Sequence, residues 1–167
     1  MATQRRARTE QRKVVKVEQE KKVWPIYAII AVIAVCGLAD ATFLFVEYLS
    51  GVTEVCTASG YLDCSAVLSS EYAKIGRVPL SGLGAVAYFV VFSLAVLAAY
   101  GYRLAASYLP ALLSLMFATS LYLVYLQAFK IKTQAGTPAF CKYCLISAGL
   151  TTLMTAIIWA AKLTKRV

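Results

Sequence analysis

Apolar residues in this chain gather into long runs separated by short polar stretches. A membrane-crossing helix needs about 20 mostly apolar residues. Four runs qualify: Trp24–Tyr48, Gly82–Tyr100, Tyr108–Phe129 and Tyr143–Ala161. Trp24, Tyr48, Tyr100, Tyr102, Tyr108 and Tyr143 mark their ends, as expected of amphipathic aromatics at headgroup depth. The pattern predicts an all-α, multi-pass membrane protein built as a four-transmembrane-helix bundle.

The polar connections differ in kind. Residues 49–80 form a long loop containing Gly51, Gly60, Gly76 and Pro79, which predicts an ordered excursion with turns. Within it Asp63 is placed to cap a short helix from Cys64 to Ser70. Val67 and Leu68 would face inward, so that this piece lies on the bundle mouth as a lid. The connection Lys130–Phe140 is short, polar and closed by Pro138. Residues 1–23 hold Arg5, Arg6, Arg8, Arg12, Lys13, Lys16, Lys21 and Lys22 with no apolar period strong enough to define a packed helix. They read as a basic, solvated cytosolic arm, with residues 24–167 as one membrane domain.

Composition agrees with that reading. Of 167 residues 60% are hydrophobic and 15% charged, and mean hydropathy is +0.70, against roughly half apolar and about a quarter charged in soluble domains. The net charge of +9 raises the question of nucleic acid, but the placement of the basic residues answers it. With the N-terminus in the cytosol, the arm, Arg103, Lys162, Lys165 and Arg166 lie inside, whereas only Lys74, Arg77, Lys130, Lys132 and Lys142 lie outside. The positive-inside rule thus accounts for the charge and puts both termini in the cytosol of a cell-membrane protein. Membrane lipid is the expected surrounding, with no nucleic-acid partner. The run continuing past Val35-Cys36, and the poor fit of Val before a cleavage point, argue against a cleaved leader. Histidine is absent, which removes the commonest general base and metal ligand.

Four of the five cysteines fall on the outer side, where disulfides persist: Cys56 and Cys64 in the long loop, Cys141 and Cys144 at the start of the fourth helix. Three residues apart on a helix, Cys141 and Cys144 share a face, with Cys144 about 4.5 Å deeper. The orphan N–H groups and dipole of the helix N-terminus, with Lys142 beside them, favour a thiolate on at least one of the two. The four could brace the loops as structural disulfides. They could also bind zinc, although the Cys56–Cys64 spacing is wide for that. A CxxC at the outer end of an apolar helix, paired with a second couple in another outer loop, speaks most strongly for thiol-disulfide exchange.

Other polar groups within the runs invite attention. Cys36 falls about 18 Å into the membrane and reads as a small buried apolar residue. Asp40 follows one turn later, suited either to a proton path or ligand contact or to a satisfied interhelical hydrogen bond. Glu47 lies close enough to the interface to be solvated. Ser81, after Pro79, is an expected N-cap and a hydroxyl near the depth of the CxxC pair.

These residues resemble the vitamin K epoxide reductase family, including its prokaryotic quinone-dependent, disulfide-forming members. The resemblance rests on Cys56, on Cys64-Ser65-Ala66-Val67-Leu68-Ser69-Ser70, on Val78-Pro79-Leu80-Ser81-Gly82-Leu83-Gly84-Ala85-Val86-Ala87-Tyr88 and on Cys141-Lys142-Tyr143-Cys144. The wide pair precedes the CxxC, the reverse of the DsbB type. The resemblance implies catalysis by Cys141, Cys144, Cys56 and Cys64. Cys144 would face a quinone of the menaquinone, ubiquinone or vitamin K type, and Cys64 and Cys56 would relay electrons from an outer thioredoxin-fold, DsbA-like partner. That partner is expected to be a separate protein, since no thioredoxin-like domain follows in the chain. The quinone-contacting Asn and Tyr of the vertebrate enzymes fall on Leu80 and Ala148, which fits quinone reduction better than epoxide reduction.

Overall fold

A computed structural model describes residues 2–51, 64–76, 78–132 and 136–164, with side chains in the first stretch from residue 23 onward and without those of Ser65 and Ile75. Cys56, Asp63 and the side chains of the basic arm lie outside the described residues.

Helix α1 runs Ala2–Ser50. It begins far before Trp24, because a continuous backbone helix needs no apolar stripe and the arm is rich in Arg, Lys, Gln and Glu, all good helix formers. The short α2 spans Cys64–Leu68 and is followed by a 3-10 turn at Glu71–Ala73. Strands β1, Lys74–Ile75, and β2, Val78–Pro79, then pair antiparallel with Lys74 opposite Pro79. Their turn begins at Gly76, whose φ of 64° suits a residue without a Cβ. This small hairpin was not foreseen from sequence, where two-residue strands leave no readable alternation. Helices α3 (Leu80–Ala99), α4 (Arg103–Phe129) and α5 (Lys142–Leu163) complete the chain.

Four segments are long and apolar enough to cross a membrane: Val23–Ser50, Leu80–Ala99, Arg103–Phe129 and Lys142–Leu163. The four expected spans are therefore present. The third starts five residues earlier than its apolar run, since nothing before the turn at Gly101 stops the helix.

The helices pack as a bundle in which α1 lies most extensively on α3, and α4 on both α3 and α5. Lipid is as apolar as a leucine side chain, so association rests on close packing and interhelical hydrogen bonds rather than on expelling water. Ala34, Ala41, Ala95, Ala98 and Ala105 supply the small surfaces, with Tyr27, Ile30, Leu109, Leu113, Met154 and Ile158 filling between them. Gly37 shows why size matters: a Cβ there would stand 2.2 Å from the ring of Tyr88. Hydrogen bonds stitch the α4–α5 seam, where Thr155 Oγ1 donates to the Leu113 carbonyl at 3.2 Å and Trp159 Nε1 to Ser114 Oγ at 3.1 Å.

Cys36 is exposed on the outside of α1, not buried as its depth suggested. Depth in a membrane does not fix the face of the helix, and the buried positions nearby are Ala34 and Gly37.

Candidate functional site

The C-terminal end of α1 and the N-terminal ends of α3 and α5 meet at one end of the bundle, together with the C-terminal end of α4. A second cluster of buried side chains gathers there: Leu44 of α1, Cys64 and Val67 of α2, Ile131 and Ala139 of the 130–140 connection, and Cys141. Val67 is buried and Leu68 packs against the cluster, so α2 lies on the bundle mouth with the face expected of it.

Cys141 is the N-cap residue of α5, with an extended backbone at φ −94° and ψ 117°. Two contacts hold it there. Its backbone N–H donates to Gln127 Oε1 of α4 at 2.9 Å, and the preceding Ala139 N–H donates to the Ile131 carbonyl at 3.1 Å. Gln127 is 2% exposed. A buried amide in an apolar helix is costly unless bonded, and this one spends its carbonyl on fixing the CxxC backbone. Sequence reading missed it. A lone Gln among Leu, Val and Phe near the end of a span was the available signal.

The sulfurs form a chain. The Cys141 side chain hydrogen-bonds both Cys144 and Cys64. Cys64 and Cys141 are fully buried, whereas Cys144 is half-buried and borders a cavity. The Cys141 thiol is pushed up to about 12: its hydrogen bond to Cys144 raises it most, the bond from Cys64 opposes this, and burial adds to the rise. The helix N-terminus favours a thiolate on at least one of the pair, and at Cys141 the Cys144 bond and burial push the other way. Lys142 turns its ammonium over the ring of Tyr143, 5.0 Å from the centroid.

The cavity has a volume of about 380 Å³, within the roughly 300–1,000 Å³ of small-molecule sites. It runs between α1, α3, α4 and α5 under α2. Apolar side chains dominate its wall, among them Leu80, Leu44, Leu83, Leu112 and Met116. Leu80, Ser81, Cys144 and Ala148 all line it. Ser81 does not cap α3: the N-cap is Pro79, and Ser81 is already the second helical residue. Pro79, with φ −68° and ψ 137°, takes the extended cap position and starts the helix two residues early.

Asp40 is not among the lining residues, where α1 presents Ala41, Leu44 and Tyr48. Its Oδ2 is buried without a hydrogen-bond partner among the described residues, and so is Oε2 of Glu47. Glu47 is thus not simply solvated. Seven residues apart, the two carboxylates share one face of α1 with Phe43, whose ring meets that of Tyr143 at 5.1 Å. Two more residues missed from sequence are Tyr88 and Thr151. Tyr88 OH lies 2.9 Å from the Ser147 carbonyl, 2.8 Å from Ser147 Oγ and 2.9 Å from Thr151 Oγ1, all on the cavity wall.

A comparison with curated proteins returned no match. The model of the vitamin K epoxide reductase family matches residues 28–159, a stretch that contains all four spans' cores and every cysteine named above. On that match the chain belongs to the vitamin K epoxide reductase family, whose members are membrane oxidoreductases coupling thiols to quinones.

Proposed function

We propose that this protein oxidises the thiols of a thioredoxin-fold partner outside the cytoplasm and passes the electrons to a membrane quinone, so driving disulfide formation. The chain of sulfurs from Cys64 through Cys141 to Cys144, ending at an apolar cavity, is the observation that supports it. Both termini would be cytosolic, in line with the distribution of Lys and Arg.

The partner's dithiol reduces a Cys56–Cys64 disulfide, attacking at Cys56, and leaves as a disulfide. The Cys64 thiolate then attacks the Cys141 sulfur of a Cys141–Cys144 disulfide. A Cys64–Cys141 bond forms and Cys144 departs as a thiolate beside the quinone. Attack of Cys56 on Cys64 restores the first disulfide and frees Cys141. The Cys141/Cys144 dithiol gives two electrons and two protons to the quinone, yielding quinol and re-forming its own disulfide. The direction requires a quinone more oxidising than either cysteine pair.

Reconstitution with quinone and a reduced thioredoxin-like protein tests the reading. Quinol formation is expected to vanish in Cys141→Ala and in Cys144→Ala; persistence in either would refute the assignment. Cys56→Ala is expected to block oxidation of the protein partner while sparing quinone reduction by a small dithiol.

A further inference from the structure

We infer that Ser147 donates the hydrogen bond that holds a quinone carbonyl oxygen against Cys144, with Tyr88 and Thr151 behind it as positioning residues. This rests on the quinone reading above and adds a polar subsite on the helix face that carries Cys144.

Ser147 lies three residues beyond Cys144 on α5, on the same helix face and about 4.5 Å further along the axis. Both side chains border the cavity. A quinone ring laid against the Cys144 sulfur therefore brings a carbonyl oxygen within reach of the Ser147 hydroxyl, whereas Leu80 and Ala148 on the same wall offer it nothing.

The hydrogen-bond accounting shows how the donor becomes available. Thr151 Oγ1 donates to the Ser147 carbonyl at 2.9 Å, which commits its one proton. Tyr88 has one proton and three acceptors within 2.9 Å: the Ser147 carbonyl, Ser147 Oγ and Thr151 Oγ1. With the cavity empty of acceptors, Ser147 can donate to the Tyr88 oxygen while Tyr88 donates to the carbonyl. When a carbonyl oxygen arrives, Tyr88 turns its proton onto Ser147 Oγ, and the Ser147 proton swings to the ligand. Each group keeps a partner in the exchange, so a half-buried hydroxyl is turned outward at little cost. Tyr88 is held for this by its ring, which is 2% exposed and fills the space that the missing side chain of Gly37 leaves open.

The test uses the full chain in lipid nanodiscs with menadione as the quinone and dithiothreitol as the reductant. Ser147→Ala is expected to lower kcat/KM for menadione by about threefold to tenfold, the loss of one hydrogen bond. In infrared difference spectra, a carbonyl band of bound menadione should move to higher wavenumber in that variant. Tyr88→Phe, which keeps the ring on Gly37, should move the band the same way by less, and Ser147→Thr should restore it. An unchanged carbonyl band or an unchanged kcat/KM in Ser147→Ala overturns the subsite while leaving the quinone reading intact. A wild-type protein that neither binds nor reduces menadione overturns both.

Discussion

At the end of the bundle away from the cysteines, the four long helices close on one another through Ala34, Ala95, Ala98, Ala105 and Ala161. At the cysteine end the same helices stand apart around a cavity of about 380 Å³ roofed by α2. The closed half holds its shape by proximity, since small side chains let backbones approach and dispersion adds to the hydrogen bonds of the α4–α5 seam. The open half cannot. It is held instead by directed bonds, Gln127 to Cys141 and Tyr88 to Ser147 and Thr151, and the sulfurs of Cys64, Cys141 and Cys144 lie there. The closed half is thus packed clear of that cavity, and the open half brings the cysteines to it.

The sharpest break of that comparison is Cys144→Ser. Quinol formation should fall to background while the melting temperature shifts by less than about 2 °C, because the site lies outside the closed core. A large fall in melting temperature would show the two halves to be one unit.

The next effect concerns protons. With the Cys141 thiol pushed up to about 12, the neutral form dominates at ordinary pH and the reactive thiolate fraction grows about tenfold per pH unit. Alkylation of Cys141 in the reduced protein, followed by mass spectrometry, should keep rising from pH 7 to 10 without a plateau. Replacing Cys144 by Ala removes the largest cause of the rise and should speed alkylation at any given pH. A plateau near pH 9 would contradict the hydrogen-bonded pair.

In the closed half, Gly37→Val should cost about 1–3 kcal/mol of stability through overpacking against Tyr88, read by thermal unfolding in detergent. Because Tyr88 reaches into the open half, this change should lower both stability and activity. Gln127→Leu leaves the buried Cys141 N–H without an acceptor and should cost about 1–3 kcal/mol, together with a slower turnover. Trp159→Phe, which removes a single half-exposed bond to Ser114, should change stability by no more than about 0.5 kcal/mol and leave turnover alone.

Much of this was legible in the chain. The four apolar runs, each near the length a bilayer requires, became the four spans within a few residues, and Val67 and Leu68 faced inward from a short helix at Cys64 as their spacing implied. The basic arm was readable as a charge but not as a helix, because propensity without an apolar stripe gives no periodic signal. Ser81 was misplaced as a cap by two residues, because Pro79 takes the cap position itself. Cys36 and Glu47 were misjudged for one shared reason: depth along a span follows from counting residues, whereas the face it turns to follows from where the neighbouring helices stand.

Sequence by itself determined that the protein crosses a membrane four times and that one cysteine pair begins a helix, because each of these depends on local composition and spacing. Only the tertiary structure decided that Cys64 lies against Cys141, that Gln127 anchors the pair, that Cys144 rather than Cys141 borders the cavity, and that Tyr88, Ser147 and Thr151 share one set of protons. Those contacts join residues between 14 and 77 positions apart, and no local pattern records which faces of four helices will meet once they have packed.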